Sequence, residues 1–149
     1  GVVSVAALTN DTTPTISGSG VEAGSTLAVT VTDALGAVQT LSVMADAAGV
    51  WSVASDALAD GTFNVSAVAT DMLGNVSVAA TASGVVDTAA PNAGAVSVPA
   101  YTLDTTPAII GSGAEVGAAV SVLVQDANGA TQTLTTTVGQ GGAWSISPT

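Results

Sequence analysis

The 149 residues include no lysine, arginine, histidine or cysteine. Without cations the chain cannot neutralise phosphates, which excludes nucleic acid as a partner, and a formal charge of −11 would be repelled by an anionic membrane surface. Without histidine or cysteine there is neither the usual base of a nucleophilic triad nor the ligand set of a zinc-type site. Two carboxylates facing one cleft would suit glycoside hydrolysis, but the acids here stand singly in turns and linkers, so no enzyme is expected. Aromatics are only 3% of the residues, and no run approaches the roughly 18 apolar residues of a membrane-spanning helix. The start at Gly1 has none of the features of a signal peptide, and the chain is expected to be an internal piece of something longer.

What is present occurs twice. Asp11-Thr12-Thr13-Pro14 runs through Ile16 into Gly18-Ser19-Gly20, Glu22 and Gly24; the series returns as Asp104-Thr105-Thr106-Pro107, Ile109, Gly111-Ser112-Gly113, Glu115 and Gly117. The offset of 93 (104 minus 11) holds without a gap from Gly1/Gly94 to Trp51/Trp144. A period of this size is enough for one small core per repeat, so the expected organisation is a tandem of independent domains.

Period-2 alternation dominates each copy. Leu27, Val29 and Val31 alternate with Ala28, Thr30 and Thr32, and Val120, Val122 and Val124 repeat the pattern. Turns at Asp33-Ala34-Leu35-Gly36 and Asp46-Ala47-Ala48-Gly49 separate further alternating segments. A longer strand places Phe63, Val65, Ala67 and Ala69 on one face, and Asp71-Met72-Leu73-Gly74-Asn75 turns it into a last strand with Val76, Val78 and Ala80 inward. About seven short strands with regular turn signals and no 3.6-residue period predict an all-β fold, tandem immunoglobulin-like β-sandwich domains. Trp51 and Trp144 occupy equivalent positions and read as core anchors, and Tyr101 is expected to pack.

Pro91 closes a short linker, residues 85–92, so the first domain is expected over residues 1–90 and the second over 91–149. The second copy lacks counterparts of residues 63–83, the last two strands. Such a sandwich has an open edge, which fits either a sequence that continues beyond this piece or completion by a strand donated from another chain.

Eleven acids with no cation to pair with suggest a hard cation held by oxygen ligands, and Ca²⁺ is the expected cofactor. If the 33–36 turn and the final hairpin turn lie at the end where the chain enters, that end gathers Asp11, Asp33 and Asp71 in the first domain and Asp104 and Asp126 in the second. The opposite end then offers Glu22 and Asp60, with Asp87 in the joint. The alternative for single acids is an Asx turn, in which the side chain caps its own backbone; Asp11, Asp33, Asp46 and Asp104 all suit it.

Asp11-Thr-Thr-Pro14, Gly18 to Leu27, Gly49-Val-Trp51-Ser52, Asp60-Gly61-Thr62-Phe63, Asp71-Met-Leu-Gly74-Asn75 and Val86-Asp87-Thr88-Ala-Ala-Pro91 together resemble the bacterial immunoglobulin-like repeats of giant secreted adhesins and biofilm-associated proteins. The resemblance implies a structural extender, or stalk, exported to the cell surface and stiffened by interdomain Ca²⁺, with Asp87, Asp104, Asp33, Asp126 and Asp71 as ligands. Its implied partners are neighbouring repeats of the same chain. Ala89 departs from the family pattern, which commonly has a second Thr there. Two other functions stay open on these residues: a filament subunit assembled by strand exchange with other copies, and a ligand-binding adhesin module.

Overall fold

The alternating segments are strands in the computed structural model, which describes residues 1–149 and divides them into two units, Gly1–Ala89 and Ala90–Thr149. Unit 1 holds β1 (Val2–Ser4), β2 (Leu8–Thr9), β3 (Thr15–Ser19), β4 (Thr26–Thr32), β5 (Val38–Met44), β6 (Trp51–Ala54), β7 (Gly61–Thr70) and β8 (Ala80–Val86). One sheet has the order β1-β3-β6 and the other β2-β8-β7-β4-β5. This is an immunoglobulin-like sandwich in which the first strand splits: β1 pairs with β3, then the chain crosses to lay β2 parallel to β8 in the other sheet. Nothing in the alternation marks that crossing, so β2 was not foreseen.

Ile16, Leu27, Val29, Val31, Trp51, Phe63, Val65 and Val86 fill the space between the sheets. Four of these eight are valines, and Trp51 and Phe63 supply the bulk. The Trp51 indole lies against β3 at Gly18, where a Cβ would come within 2.3 Å of the ring. Trp144 does the same over Gly111 in unit 2. Both tryptophans are buried, as their equivalent positions suggested.

The last strand of unit 1 departs from the expectation. Thr70 bridges Val76, and the next pair is Ala67 with Ala80. Between those pairs β7 has two residues (Val68, Ala69) and the returning chain three (Ser77, Val78, Ala79). One extra residue reverses which side chains face the core. Val76 and Val78 are therefore 66% and 91% exposed, not inward. Ser77 secures the irregular segment: its N–H donates to Ala69 O at 2.8 Å and its hydroxyl accepts from Ala69 N–H at 3.0 Å. Val85 and Val86 also belong to β8 and not to the linker, and Val86 is 1% exposed.

Unit 2 repeats part of this plan with β9 (Ala95–Ser97), β10 (Ile109–Ser112), β11 (Ala119–Gln125), β12 (Thr131–Thr137) and β13 (Trp144–Ile146). Its sheets are β9-β10-β13 and β11-β12. β11 is the counterpart of β4 but is paired along one edge only, with β12. Val120, Val122 and Val124 are accordingly half-buried, whereas Leu27, Val29 and Val31 are fully buried. Tyr101 does not pack: it is 96% exposed, in the irregular passage between β9 and β10.

Gly18→Ala is expected to destabilise unit 1 by about 1–3 kcal/mol, because backbone and a large ring must both move to admit one methyl group. Urea unfolding followed by tryptophan fluorescence would measure it, and an unchanged midpoint would contradict the contact.

Carboxylates at the domain ends as a candidate functional site

Strand direction decides which acids share an end. β4 is antiparallel to both β5 and β7, with Thr32 opposite Val38 and Asn64, and Thr26 opposite Met44 and Thr70. The 33–36 turn and the 71–75 turn therefore lie at opposite ends of unit 1. The turn between the second and third strands of the sandwich is the β3–β4 turn, which carries Glu22 and not Asp33. Glu22, Asp46 and Asp71 share the incoming end, beside Gly1 and Val2. Asp11, Asp33, Asp60 and Asp87 share the outgoing end. The expected grouping of Asp11 and Asp33 with Asp71, and of Glu22 with Asp60, is thus corrected.

The same rule applies within unit 2. Ala95 pairs with Ser112, and Glu115 N–H donates to Asn92 O at 3.2 Å, so the linker enters beside Glu115. Asp126 follows Gln125 at the far end of β11, and Asp104 precedes β10 at that far end. Asp104 and Asp126 are not at the end where the chain enters unit 2, as had been expected.

Most of these carboxylates cap their own backbone. Asp33 Oδ1 accepts from the N–H groups of Leu35 (3.0 Å) and Ala37 (2.9 Å), and its Oδ2 from Ala59 N–H at 3.3 Å. Asp46 and Asp126 repeat the two-donor pattern on Oδ1. Asp71 adds the Asn75 side-chain amide, 2.7 Å from Oδ2. Each Asp-x-x-Gly turn ends on a glycine in the left-handed region, Gly36, Gly49, Gly74 and Gly129 at φ 83°, 74°, 89° and 84°. Asp11 and Asp104 each accept the backbone and hydroxyl donors of the threonine two residues on. The Asx-turn alternative is what the structure contains at Asp11, Asp33, Asp46 and Asp104.

Asp60 does something the sequence did not disclose. Thr88 donates its N–H to Oδ2 at 3.1 Å and sits with its hydroxyl 2.8 Å from both carboxylate oxygens, tying the start of the linker to the start of β7. Another tie joins the two sheets: Gln39 exchanges hydrogen bonds with the backbone of Asp56, and Gln132 with Thr149 at the same offset. That shared offset was the only signal available for it.

As cation ligands the eight candidates divide. Asp33, Asp60 and Asp71 have both oxygens engaged by donors. Asp11, Asp87, Asp104 and Asp126 use Oδ1 alone, leaving Oδ2 outward. The Glu22 side chain is exposed. No three acidic side chains converge within either unit.

Donation to two of the carboxylates lowers their proton affinity. The Ala37 N–H leads the backbone donors that hold Asp33 below the usual carboxylate range. The Asn75 side-chain amide, then its backbone N–H, does so for Asp71.

Residues 1–88 match the family model described as "Bacterial Ig-like domain". The chain belongs to this family. Among solved structures it is similar to the crystal structure of a tetra-tandem repeat in the extending region of a large adhesion protein, at 31% identity with a TM-score of 0.50. That match covers 98% of this chain and 39% of the other, so this chain spans well under half of its neighbour. A comparison with curated proteins gives no match.

A depressed folded-state pKa contributes stability above the unfolded value of about 4, and that contribution is lost as pH falls through the lowered folded value. Stability is therefore expected to be level near neutrality and to fall below about pH 4. Asp71→Asn should flatten that acid limb. Urea midpoints measured from neutral to acid pH would show it, and an identical acid limb in the variant would exclude Asp71 as a contributor.

Proposed function

We propose that this chain is a structural extender segment of a large bacterial cell-surface adhesin, in which tandem sandwiches set reach and Ca²⁺ at the repeat ends stiffens the joints. The observation that carries the extender reading is the match of nearly the whole chain to a tandem repeat from the extending region of an adhesion protein. The protein would lie outside the cell, with neighbouring repeats of the same chain as its first partners, in support of adhesion and biofilm formation.

The calcium part has separate support. All eleven acids lie outside the strands, there is no cationic side chain to pair with them, and several present an unengaged oxygen to solvent. Asp87 and Asp11 at the outgoing end of unit 1, Asp104 and Asp126 at that of unit 2, and Glu22 at an incoming end are the proposed ligands. Asp33, Asp60 and Asp71 are assigned to capping and tying. A hard cation would supply charge neutralisation at the ends. Since it would bind only the folded state, it would add RT ln(1 + [Ca²⁺]/Kd) to stability, leaving the chain looser where calcium is scarce and firmer outside.

A second reading is assembly of copies by strand exchange. In it the edge of β11 would take a strand from another copy, at the place where β7 pairs with β4 in unit 1. Light scattering of the purified chain would then show polymer in place of monomer.

Thermal unfolding in EDTA and in about 1–10 mM Ca²⁺ tests the metal. The midpoint is expected to rise with calcium and the rise to shrink in Asp87→Ala. Identical midpoints in the two buffers would overturn the calcium part and leave the extender reading standing on the repeat alone.

A further inference from the structure

The strands nearest the two termini of unit 1 lie side by side and run the same way. β2 pairs parallel with β8, Leu8 opposite Val85 and Thr9 opposite Val86. Val85 N–H donates to Ala7 O at 3.0 Å, and Asp87 N–H to Thr9 O at 2.9 Å. The approach is close: a Cβ on Gly84 would stand 2.3 Å from Ala6 O and 2.7 Å from the Phe63 ring, so only glycine lets the crossing segment lie there.

The chain enters unit 1 at the end carrying Glu22 and Asp71 and leaves it at the end carrying Asp33 and Asp60. Tension along the backbone therefore draws β2 toward the incoming end and β8 toward the outgoing end, along their shared axis. Sliding two paired strands past each other loads all their hydrogen bonds together, whereas pulling them apart sideways opens one bond at a time. β1 is held in the same lengthwise sense, by its antiparallel pairing with β3 from Val2–Ser19 to Ser4–Ser17. The weak point of such an arrangement is the free end of β8, where peeling could begin. That is where Thr88 is bonded to Asp60, 28 residues earlier in the chain.

We infer that unit 1 is a tension-bearing module whose resistance to stretching resides in the parallel β2–β8 pair and the Asp60–Thr88 tie, without need of a metal. The inference concerns the unit itself and holds whether or not the repeat ends bind calcium. Asp60 then acts as a positioning residue for the linker, which accounts for both its oxygens being engaged.

The absence of cysteine allows handles to be placed at will in the full chain. Gly1→Cys with Ala89→Cys loads unit 1 along the backbone direction. Leu35→Cys with Ala89→Cys pulls from two points at the outgoing end, across the strands. Single-molecule stretching in EDTA is expected to give a several-fold higher unfolding force for the first pair than for the second, with no calcium required. Thr88→Val should raise the unfolding rate under load roughly ten-fold, the effect of losing charge-assisted hydrogen bonds, and Thr88→Ser should restore it. Val85→Pro removes the donor to Ala7 and should lower the force further; if that variant does not fold, the comparison of pulling directions decides. Equal forces in the two directions, a high force that vanishes in EDTA, or a Thr88→Val variant as resistant as the parent would each overturn the inference.

Discussion

A chain with acids but no cationic side chain has no internal way to pair a buried charge, and this constraint shapes both units. An unpaired carboxylate in an apolar interior would cost far more than the marginal stability of a small domain. Each of the eleven acids accordingly lies outside the strands, in turns or beside the linker. Most of the aspartates accept backbone N–H groups of their own turns, which orders the turn, and at Asp33 and Asp71 this donation lowers the carboxyl's affinity for protons. The flanks of each unit are left neutral and the ends anionic.

With charge removed from the strands, cohesion falls to apolar packing and ladder hydrogen bonds. The core is built mostly from valine and alanine, so two features supply what small side chains cannot. One is a tryptophan laid over a glycine, Trp51 on Gly18 and Trp144 on Gly111. The other is full pairing of the central strand. Leu27, Val29 and Val31 are sealed where β4 has neighbours on both edges, while the same pattern in β11, paired on one, stays half-buried. Burial here belongs to the pair of strands and not to the segment.

The end loops show how one residue type serves several tasks. Aspartate caps a tight turn at Asp33, Asp46, Asp71 and Asp126, holds a strand start at Asp11 and Asp104, and ties the linker at Asp60. Both oxygens of Asp33, Asp60 and Asp71 accept hydrogen bonds, while Asp11, Asp87, Asp104 and Asp126 each accept on one oxygen alone.

What could be read from the sequence is whatever depends on near neighbours. Alternation placed β3 to β7 and the turns, because a strand's two faces differ at every second residue and Asp-x-x-Gly carries its own geometry. The 93-residue offset showed the tandem plan and marked both tryptophans as core. The tertiary structure decided what depends on partners far along the chain. Which end of the sandwich each turn occupies follows from β4 running antiparallel to both β5 and β7, so Asp33 and Asp71 were separated and Glu22 joined Asp71. One inserted residue before Ala80 turned Val76 and Val78 outward, a change of face that composition does not record. The meeting of Thr88 with Asp60 and the parallel seating of β2 on β8 likewise exist only once the sheets are assembled, because hydrogen bonds between distant segments are set by strand register and not by local pattern.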